Sequence, residues 1–280
     1  MEAHVKTGHR IEGGIRLRGI FKKSNPKKPL ITIVTVTYNA KEFLERSIRS
    51  VLEQSYDNVE YIVVDGGSTD GTLDIIKRYD DYIDYWVSEK DRGIYDAMNK
   101  GTRVASGDWI YFLGADDVLV NCLHLIAPYL RNTRSIYYGD VYLPGKNKVY
   151  GGEFKFHTLI SKNINHQSIF YPKEVFKKYN YNLKYRLLAD YELNIRCWGD
   201  KTFRFKYLPV LVCIHNDSGY SFRSLDPEFE NDKPTLIFEN FSKQIFIRNA
   251  YLNATTRVKK ILNILGIEKP LRNLIICKKR

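Results

Sequence analysis

No apolar run in this 280-residue chain is long enough to span a bilayer; the longest are stretches such as Leu30–Val36 and Leu208–Ile214. No transmembrane helix is expected. A secretory leader is not expected either, because Lys, Arg and Gly interrupt every candidate apolar core near the amino terminus. Cysteine is sparse. Cys122, Cys197, Cys213 and Cys277 show neither C-x-x-C spacing nor the density of a disulfide framework, which points to reduced thiols in a cytoplasmic protein. Internal repeats and low-complexity blocks are missing.

Net positive charge is missing from the middle of the chain. Of a formal net charge of +12, residues 1–29 supply eight Lys and Arg against two Glu, and residues 257–280 supply eight against one Glu. The body between them is close to neutral. A nucleic-acid-binding module would spread its charge over a binding face, so no nucleic-acid partner is expected. In the carboxyl tail, VKKILNILGIEKPLRNLIICKKR interleaves Ile and Leu with basic residues. That pattern suits an anionic membrane surface better than a duplex, since apolar side chains enter the headgroup boundary while Lys and Arg meet lipid charge. A helical tail packed on the body is the alternative.

What is present is an alternation of strand and helix. Residues 1–29 form a basic extension ending in the linker-like Ser24-Asn25-Pro26-Lys27-Lys28-Pro29; whether its IRLRGIF patch packs on the rest is open from sequence. Leu30–Thr37 and Val59–Val64 read as buried strands, with a helix over Lys41–Gln54 between them. A third strand is expected at Ile83–Val87. The second strand runs into Asp65-Gly66-Gly67-Ser68-Thr69-Asp70-Gly71-Thr72, where two glycines allow close backbone approach and Thr69 or Asp70 can cap the next helix. A carboxylate at this place commonly holds a nucleotide's base or ribose edge. The loop is neither a Walker loop nor the G-x-G-x-x-G fingerprint.

The stretch Ser88–Val118, SEKDRGIYDAMNKGTRVASGDWIYFLGADDV, organises the chain. Ile94, Ala97, Met98, Gly101, Val104 and Ala105 recur at helical spacing, and Trp109–Leu113 is a continuous apolar run expected of a central strand. Asp116 and Asp117 follow at its carboxyl end, where ligands sit in open α/β sheets. Two adjacent carboxylates there fit a hard divalent cation that also touches phosphate, or equally a helix cap. After this stretch, a hairpin is expected over Ser135–Leu143 and Lys148–Gly151, then a strand at Ile169–Tyr171 and a helix entered at Leu187–Glu192. Residues 226–256 read as helical. The order βαβαβ calls for an α/β fold with a mainly parallel sheet flanked by helices.

TVTYNA, VVDGGSTDGT, EKDRGIYDAMNKG, GDWIYFLGADD, HQSIFYPKEVF and LLADYELNIR stand in this order along the chain. Taken together they resemble the inverting family 2 glycosyltransferases of the GT-A fold, above all those of bacterial exopolysaccharide, O-antigen and capsule synthesis. The resemblance covers roughly residues 30–220, leaving 221–280 as a helical, basic carboxyl region. It implies that Thr37, Tyr38 and Asn39 lie under the uridine and that Asp65 grips the base or ribose. Asp91 and Arg92 would flank the nucleotide or donor sugar. Asp116 would ligate Mg²⁺ or Mn²⁺, with Asp117 supporting it or binding the sugar, and Asp190 would be the catalytic base. The family often has Asp where this chain has Gly114, so a full D-x-D triplet is lacking. His166 and His215 are candidates for reaching the diphosphate or the acceptor.

The implied activity is transfer of a hexose or N-acetylhexosamine from a UDP-sugar to a lipid-linked saccharide, with inversion, at the cytoplasmic face of the cell membrane. On residue type alone, Asp190 also suits a helix cap and Glu192 a surface charge. A sugar-phosphate nucleotidyltransferase is the second enzymatic reading, but TVTYNAKEF offers no glycine-rich triphosphate loop after the first strand.

Overall fold

The computed structural model describes residues 10–217 and 225–241. The basic tail 257–280, expected to meet a membrane surface, lies outside the described residues. The centre is four parallel strands: β2 (Ile31–Thr37), β3 (Val59–Asp65), β4 (Tyr85–Ser88) and β5 (Trp109–Gly114), in the order β4-β3-β2-β5. Ile33 stands opposite Tyr61 on one side and Tyr111 on the other. Every residue of β2 and β3 is buried, because helices cover both faces. Ile31, Ile33, Val63, Tyr111 and Leu113 pack with α1 (Leu44–Leu52) and α2 (Thr72–Arg78). Val34, Val36, Ile62, Ile110 and Phe112 face the opposite layer, which includes α3 (Ile94–Val104). The period-two side-chain alternation of strands thus serves two cores at once.

The described part of the basic segment ahead of Leu30 is bound to this sheet. β1 (Ile11–Gly13) pairs antiparallel with β4, and Gly14 turns the chain with φ 101° so that Ile15 and Arg16 donate N–H groups to the Ile83 and Asp84 carbonyls. Ile83 gives its own N–H to the Tyr79 carbonyl in the turn after α2, and β4 begins at Tyr85, not at Ile83. Below the strands' amino-terminal ends, Lys22 reaches the buried Asp84 at 2.8 Å and Arg16 reaches the buried Glu60 at 3.3 Å. Helix α1 is likewise shorter than its apolar spacing suggested. Ala40 and Lys41 give their N–H groups to Thr72 Oγ1 and Asp70 Oδ2, so these residues belong to the preceding loop.

Beyond β5 the sheet becomes mixed. The remaining strands are β6 (Val118–Leu119), β7 (Ser135–Leu143), β8 (Lys148–Tyr150), β9 (Ile169–Pro172) and β10 (Arg204–Ile214). β9 lies antiparallel between β5 and β7, β10 runs parallel to β7, and β6 closes the far side. β8 forms the expected hairpin on β7. The helices here are α4 (Leu123–Ile126), α5 (Phe156–Ser161), α6 (Lys173–Lys178), α7 (Ala189–Gly199) and α8 (Pro227–Asn240). Among the described residues, ten strands form one sheet, and no helix is long and apolar enough to cross a membrane.

Candidate active site

A cleft of about 1000 Å³ opens at the carboxyl ends of β2, β3 and β5, the place an open α/β sheet reserves for ligands. A smaller hollow of about 360 Å³ between β7 and β10 contains Glu153 and Lys206 and none of the candidate residues. On the cleft's first side the loops after β2 and β3 are fastened together. Asn39 donates its N–H to Ser68 Oγ at 2.8 Å, and its side-chain oxygen accepts from the Thr69 N–H at 2.9 Å. Asn39 holds φ 49°, a left-handed conformation that Asn tolerates better than most residues. Thr37, Tyr38 and Asn39 all line the cleft, with Tyr38 64% exposed. Thr37 Oγ1 is buried there without a hydrogen-bond partner.

Asp65 does not reach the cleft wall. It is 0% exposed, and its carboxylate accepts from the Gly67 and Ser68 N–H groups and from the Ser68 and Ser88 hydroxyls. Its work is to shape the loop whose Gly66 and Gly67 line the cleft. A Cβ at Gly66 would stand 2.5 Å from Asp91 Oδ2 and would push that carboxylate aside. Asp91 itself lines the cleft, accepts from the Gly93 N–H at 2.8 Å, and has its carboxyl pushed up by burial. Arg92 turns away, its side chain 74% exposed and paired with Asp96.

Asp116 and Asp117 diverge. Asp116 lines the cleft and accepts from Asn216 Nδ2 at 2.9 Å; burial, and then the neighbouring Asp117, push its carboxyl up. Asp117 is fully buried beneath it. Asp117 Oδ1 meets His215 Nδ1 at 3.0 Å and the Asn216 N–H at 2.7 Å, while Oδ2 has no hydrogen-bond partner. That oxygen lies over Gly114, where any Cβ would fall inside its contact distance and 2.9 Å from Gln167 Nε2. An Asp at position 114 would therefore compete for space with the Asp117 carboxylate.

Asp190 enters from the other half of the chain, at the start of α7. It lines the same cleft while only 4% exposed. Tyr95 donates to its Oδ1 at 2.7 Å and Asn163 Nδ2 to its Oδ2 at 2.6 Å. The capping role that residue type allowed is not taken: Leu188 is the N-cap residue, with no side-chain cap. Asp226, at the start of α8, instead accepts the Leu187 and Leu188 N–H groups. Glu192 is not a surface charge. It is 3% exposed, pairs with Arg196 and lies outside the cleft wall, and burial raises its carboxyl. His166, whose basicity burial lowers against the opposing pull of Asp190, lines the cleft with its Nδ1 3.7 Å from Asp190 Oδ2. His215 lines it as well.

Sequence reasoning missed Tyr95, Asn163 and Asn216. The apolar spacing put Ile94 on the buried face of α3, yet Ile94 stands at the cleft 45% exposed and Tyr95 turns inward. Its hydroxyl meets Asp190 and the Leu187 carbonyl, and its ring packs against Tyr181 in the core. Asn163 and Asn216 carry no local signal, because their partners are far away in the chain.

A divalent cation is tested by the donor set. The described residues contain no group of three or more His, Cys, Asp or Glu side chains placed to hold a metal. What they offer is Asp116, in charge conflict with a neighbouring carboxylate, beside a His215 imidazole oriented by Asp117. That is too little for a protein cage, but it fits Mg²⁺ or Mn²⁺ completed by phosphate oxygens.

The comparisons with known proteins bear on the family and the fold. The chain is 37% identical over 211 residues, 72% of its length and 82% of the relative's, to a PGL/p-HBAD biosynthesis glycosyltransferase of Mycobacterium bovis. Among solved structures, Staphylococcus aureus TarS in complex with UDP-GlcNAc superposes with a TM-score of 0.59 at 16% identity, over 75% of this chain and 71% of that one. The mannosyltransferase PcManGT of Pyrobaculum calidifontis, in complex with GDP-Man and Mn²⁺, gives 0.56 at 18% identity, over 92% and 87%. Both likenesses establish the fold. The profile of glycosyl transferase family 2 matches residues 32–227, so the chain belongs to that family: it is a glycosyltransferase built on the GT-A fold.

Proposed function

We propose that the protein transfers a hexose or N-acetylhexosamine from a UDP-sugar to a lipid-linked saccharide, with inversion, in the synthesis of a cell-surface polysaccharide. The observation that carries the chemistry is a pair of carboxylates from opposite halves of the chain, Asp116 and Asp190, in one cleft. Asp116, with His215, would hold Mg²⁺ or Mn²⁺, which supplies charge neutralisation for the departing diphosphate. Thr37, Tyr38 and Asn39 form the shelf for the nucleotide, and Asp65 acts through the Gly66-Gly67 turn it fastens. Asp190 accepts the acceptor hydroxyl's proton as that oxygen bonds the anomeric carbon and the carbon–diphosphate bond breaks. A UDP donor is supported at the level of fold by TarS, and a GDP donor by PcManGT. The cell-surface setting is supported by the mycobacterial relative's part in PGL/p-HBAD biosynthesis.

Incubation of the full chain with a panel of UDP- and GDP-sugars, Mn²⁺ and lipid-linked saccharides tests the reading. UDP release and a product of inverted anomeric configuration are expected; a retained configuration or release of GDP alone overturns it. We further propose that residues 257–280 hold the enzyme at an anionic inner membrane face. Their deletion should abolish binding to anionic vesicles and spare donor hydrolysis, and undiminished vesicle binding would remove this part.

A further inference from the structure

Asp190 is held between two donors of different kinds. Asn163 is the near end of a buried polar chain. Tyr171 in β9 donates its hydroxyl to Asn194 Oδ1 at 2.7 Å, Asn194 Nδ2 donates to Asn163 Oδ1 at 2.9 Å, and Asn163 Nδ2 donates to Asp190 Oδ2. Tyr171 and Asn194 are fully buried. The direction of this chain is not arbitrary. Reversing both amides would set an amide oxygen against the Asp190 carboxylate and strand the Tyr171 proton without its acceptor. Tyr95 is the opposite case. Its single hydroxyl proton has two acceptors within reach, Asp190 Oδ1 at 2.7 Å and the Leu187 carbonyl at 2.8 Å. Asp226 fixes the Leu187 and Leu188 backbone that carries the second acceptor.

We propose that Tyr171, Asn194 and Asn163 form a one-directional relay that positions Asp190, and that Tyr95 is the partner that adjusts when Asp190 changes protonation. This rests on the reading of Asp190 as the base. With Asp190 ionised, both neighbours donate to it. When the acceptor's O–H bond breaks and its proton passes to Asp190, Tyr95 turns its own proton to the Leu187 carbonyl. Its hydroxyl oxygen can then accept from the new carboxylic acid. Asn163 cannot make this change, because Asn194 and Tyr171 behind it hold its amide in one orientation. The carboxylate thus keeps its place on one oxygen while the other is free to take up and release a proton. Tyr95, Asn163 and Tyr171 are positioning residues in this scheme, and Tyr171 lies outside the cleft wall.

The test measures turnover and UDP affinity for Tyr171→Phe, Asn163→Ala and Tyr95→Phe, each in the wild-type chain and in Asp190→Asn. Tyr171→Phe and Tyr95→Phe keep the packed rings, so folding is checked by thermal melting and is expected to hold. Each substitution should lower kcat by about tenfold with UDP affinity unchanged, through misplacement of the reacting group. None should lower it further in Asp190→Asn, where there is no base left to position. Wild-type kcat in all three single variants beside a crippled Asp190→Asn overturns the relay and leaves the base in place. Equal losses in both backgrounds overturn it too, as a merely structural effect. Full activity in Asp190→Asn removes the base assignment itself, and the relay with it.

Discussion

The two ends of the central sheet both bury carboxylates, and they treat them in opposite ways. At the amino-terminal ends of the strands, Glu60 is met by Arg16, Thr32, and the Ser106 N–H and hydroxyl, and Asp84 by Lys22 and the Tyr61 N–H. The cations come from the basic segment before the first long strand. At the carboxyl ends stand Asp65, Asp91, Asp116, Asp117 and, from α7, Asp190. Among the described residues, none of these five carboxylate groups has a Lys or Arg nitrogen within 4.0 Å; Arg46 comes near only through the Asp116 backbone carbonyl, at 3.4 Å. They rely on backbone N–H groups, hydroxyls, amides and imidazoles. Each end leaves one buried carboxylate oxygen unpartnered, Asp84 Oδ1 and Asp117 Oδ2. The difference therefore lies in the counter-charge: one end carries its own, and the other leaves that place to a cation or a substrate.

The comparison breaks if the carboxylates of the open end matter only for folding. The largest effect is expected from Asp190→Asn, which keeps the shape but cannot take a proton. Turnover should fall roughly a hundredfold or more with UDP affinity unchanged. Calorimetry of UDP alongside a release assay separates the two quantities, and near-normal transfer by the folded variant would move Asp190 out of the mechanism.

Restoring the family's triplet should do harm. Gly114→Asp forces a Cβ into Asp117, which orients His215. Mn²⁺ affinity, read by calorimetry in the presence of UDP, is expected to drop by about tenfold, as for loss of a residue that supports a metal ligand. A gain in affinity would show that Asp117 has another place to go.

At the closed end the expected change is in stability. Lys22→Met strands Asp84, whose carboxyl burial already raises against the pull of Lys22. Roughly 3 kcal/mol should be lost in urea unfolding, with UDP affinity untouched. A loss of UDP binding at unchanged stability would contradict the division between the two ends.

The smallest effect belongs to Asp200, just past α7. Burial works to raise its carboxyl. Lys178 at 2.7 Å, the Thr202 N–H at 2.8 Å and the Tyr179 hydroxyl at 2.8 Å outweigh burial and hold it far below the ordinary carboxylate range. A depressed folded value contributes stability that is present above the unfolded value of about 3.9 and lost as pH falls below it. Asp200→Asn should lower Tm by a few degrees at pH 7, and the gap should close on acidification. A gap independent of pH would assign the effect to packing.

Much of this was legible in the sequence because it rests on local patterns. The runs at Leu30–Thr37, Val59–Val64 and Trp109–Leu113 could only be strands buried on both faces, and the order of turns between them set the parallel core. Asp116 and Asp190 stood in the motif series and do line one cleft. What escaped was side-chain direction. Asp65, Asp117 and Arg92 occupy the expected loops, but the first two turn inward and the third turns out to solvent. A loop's donors, here Gly67, Ser68 and Ser88 around Asp65, decide that orientation, and they compete over distances that residue spacing does not encode. The short strand at Ile11–Gly13 was hidden for a related reason. It is held by backbone pairing with β4, with only Gly13 buried, and so shows no apolar alternation.

The strand order has a consequence for how the chain is made. The first five strands in sheet order, β1-β4-β3-β2-β5, pair through nothing beyond residue 114, so this pairing can form while the ribosome still holds the rest. One edge of β5 then has no partner until β9 arrives at Ile169, more than fifty residues later. That edge belongs to WIYFLG, the most apolar strand of the core, and an uncovered apolar edge is a template for joining another chain. The nascent protein is at greatest risk of aggregation during that interval. Slowing synthesis between residues 114 and 169 should cost more soluble enzyme than slowing it anywhere after β9 has docked.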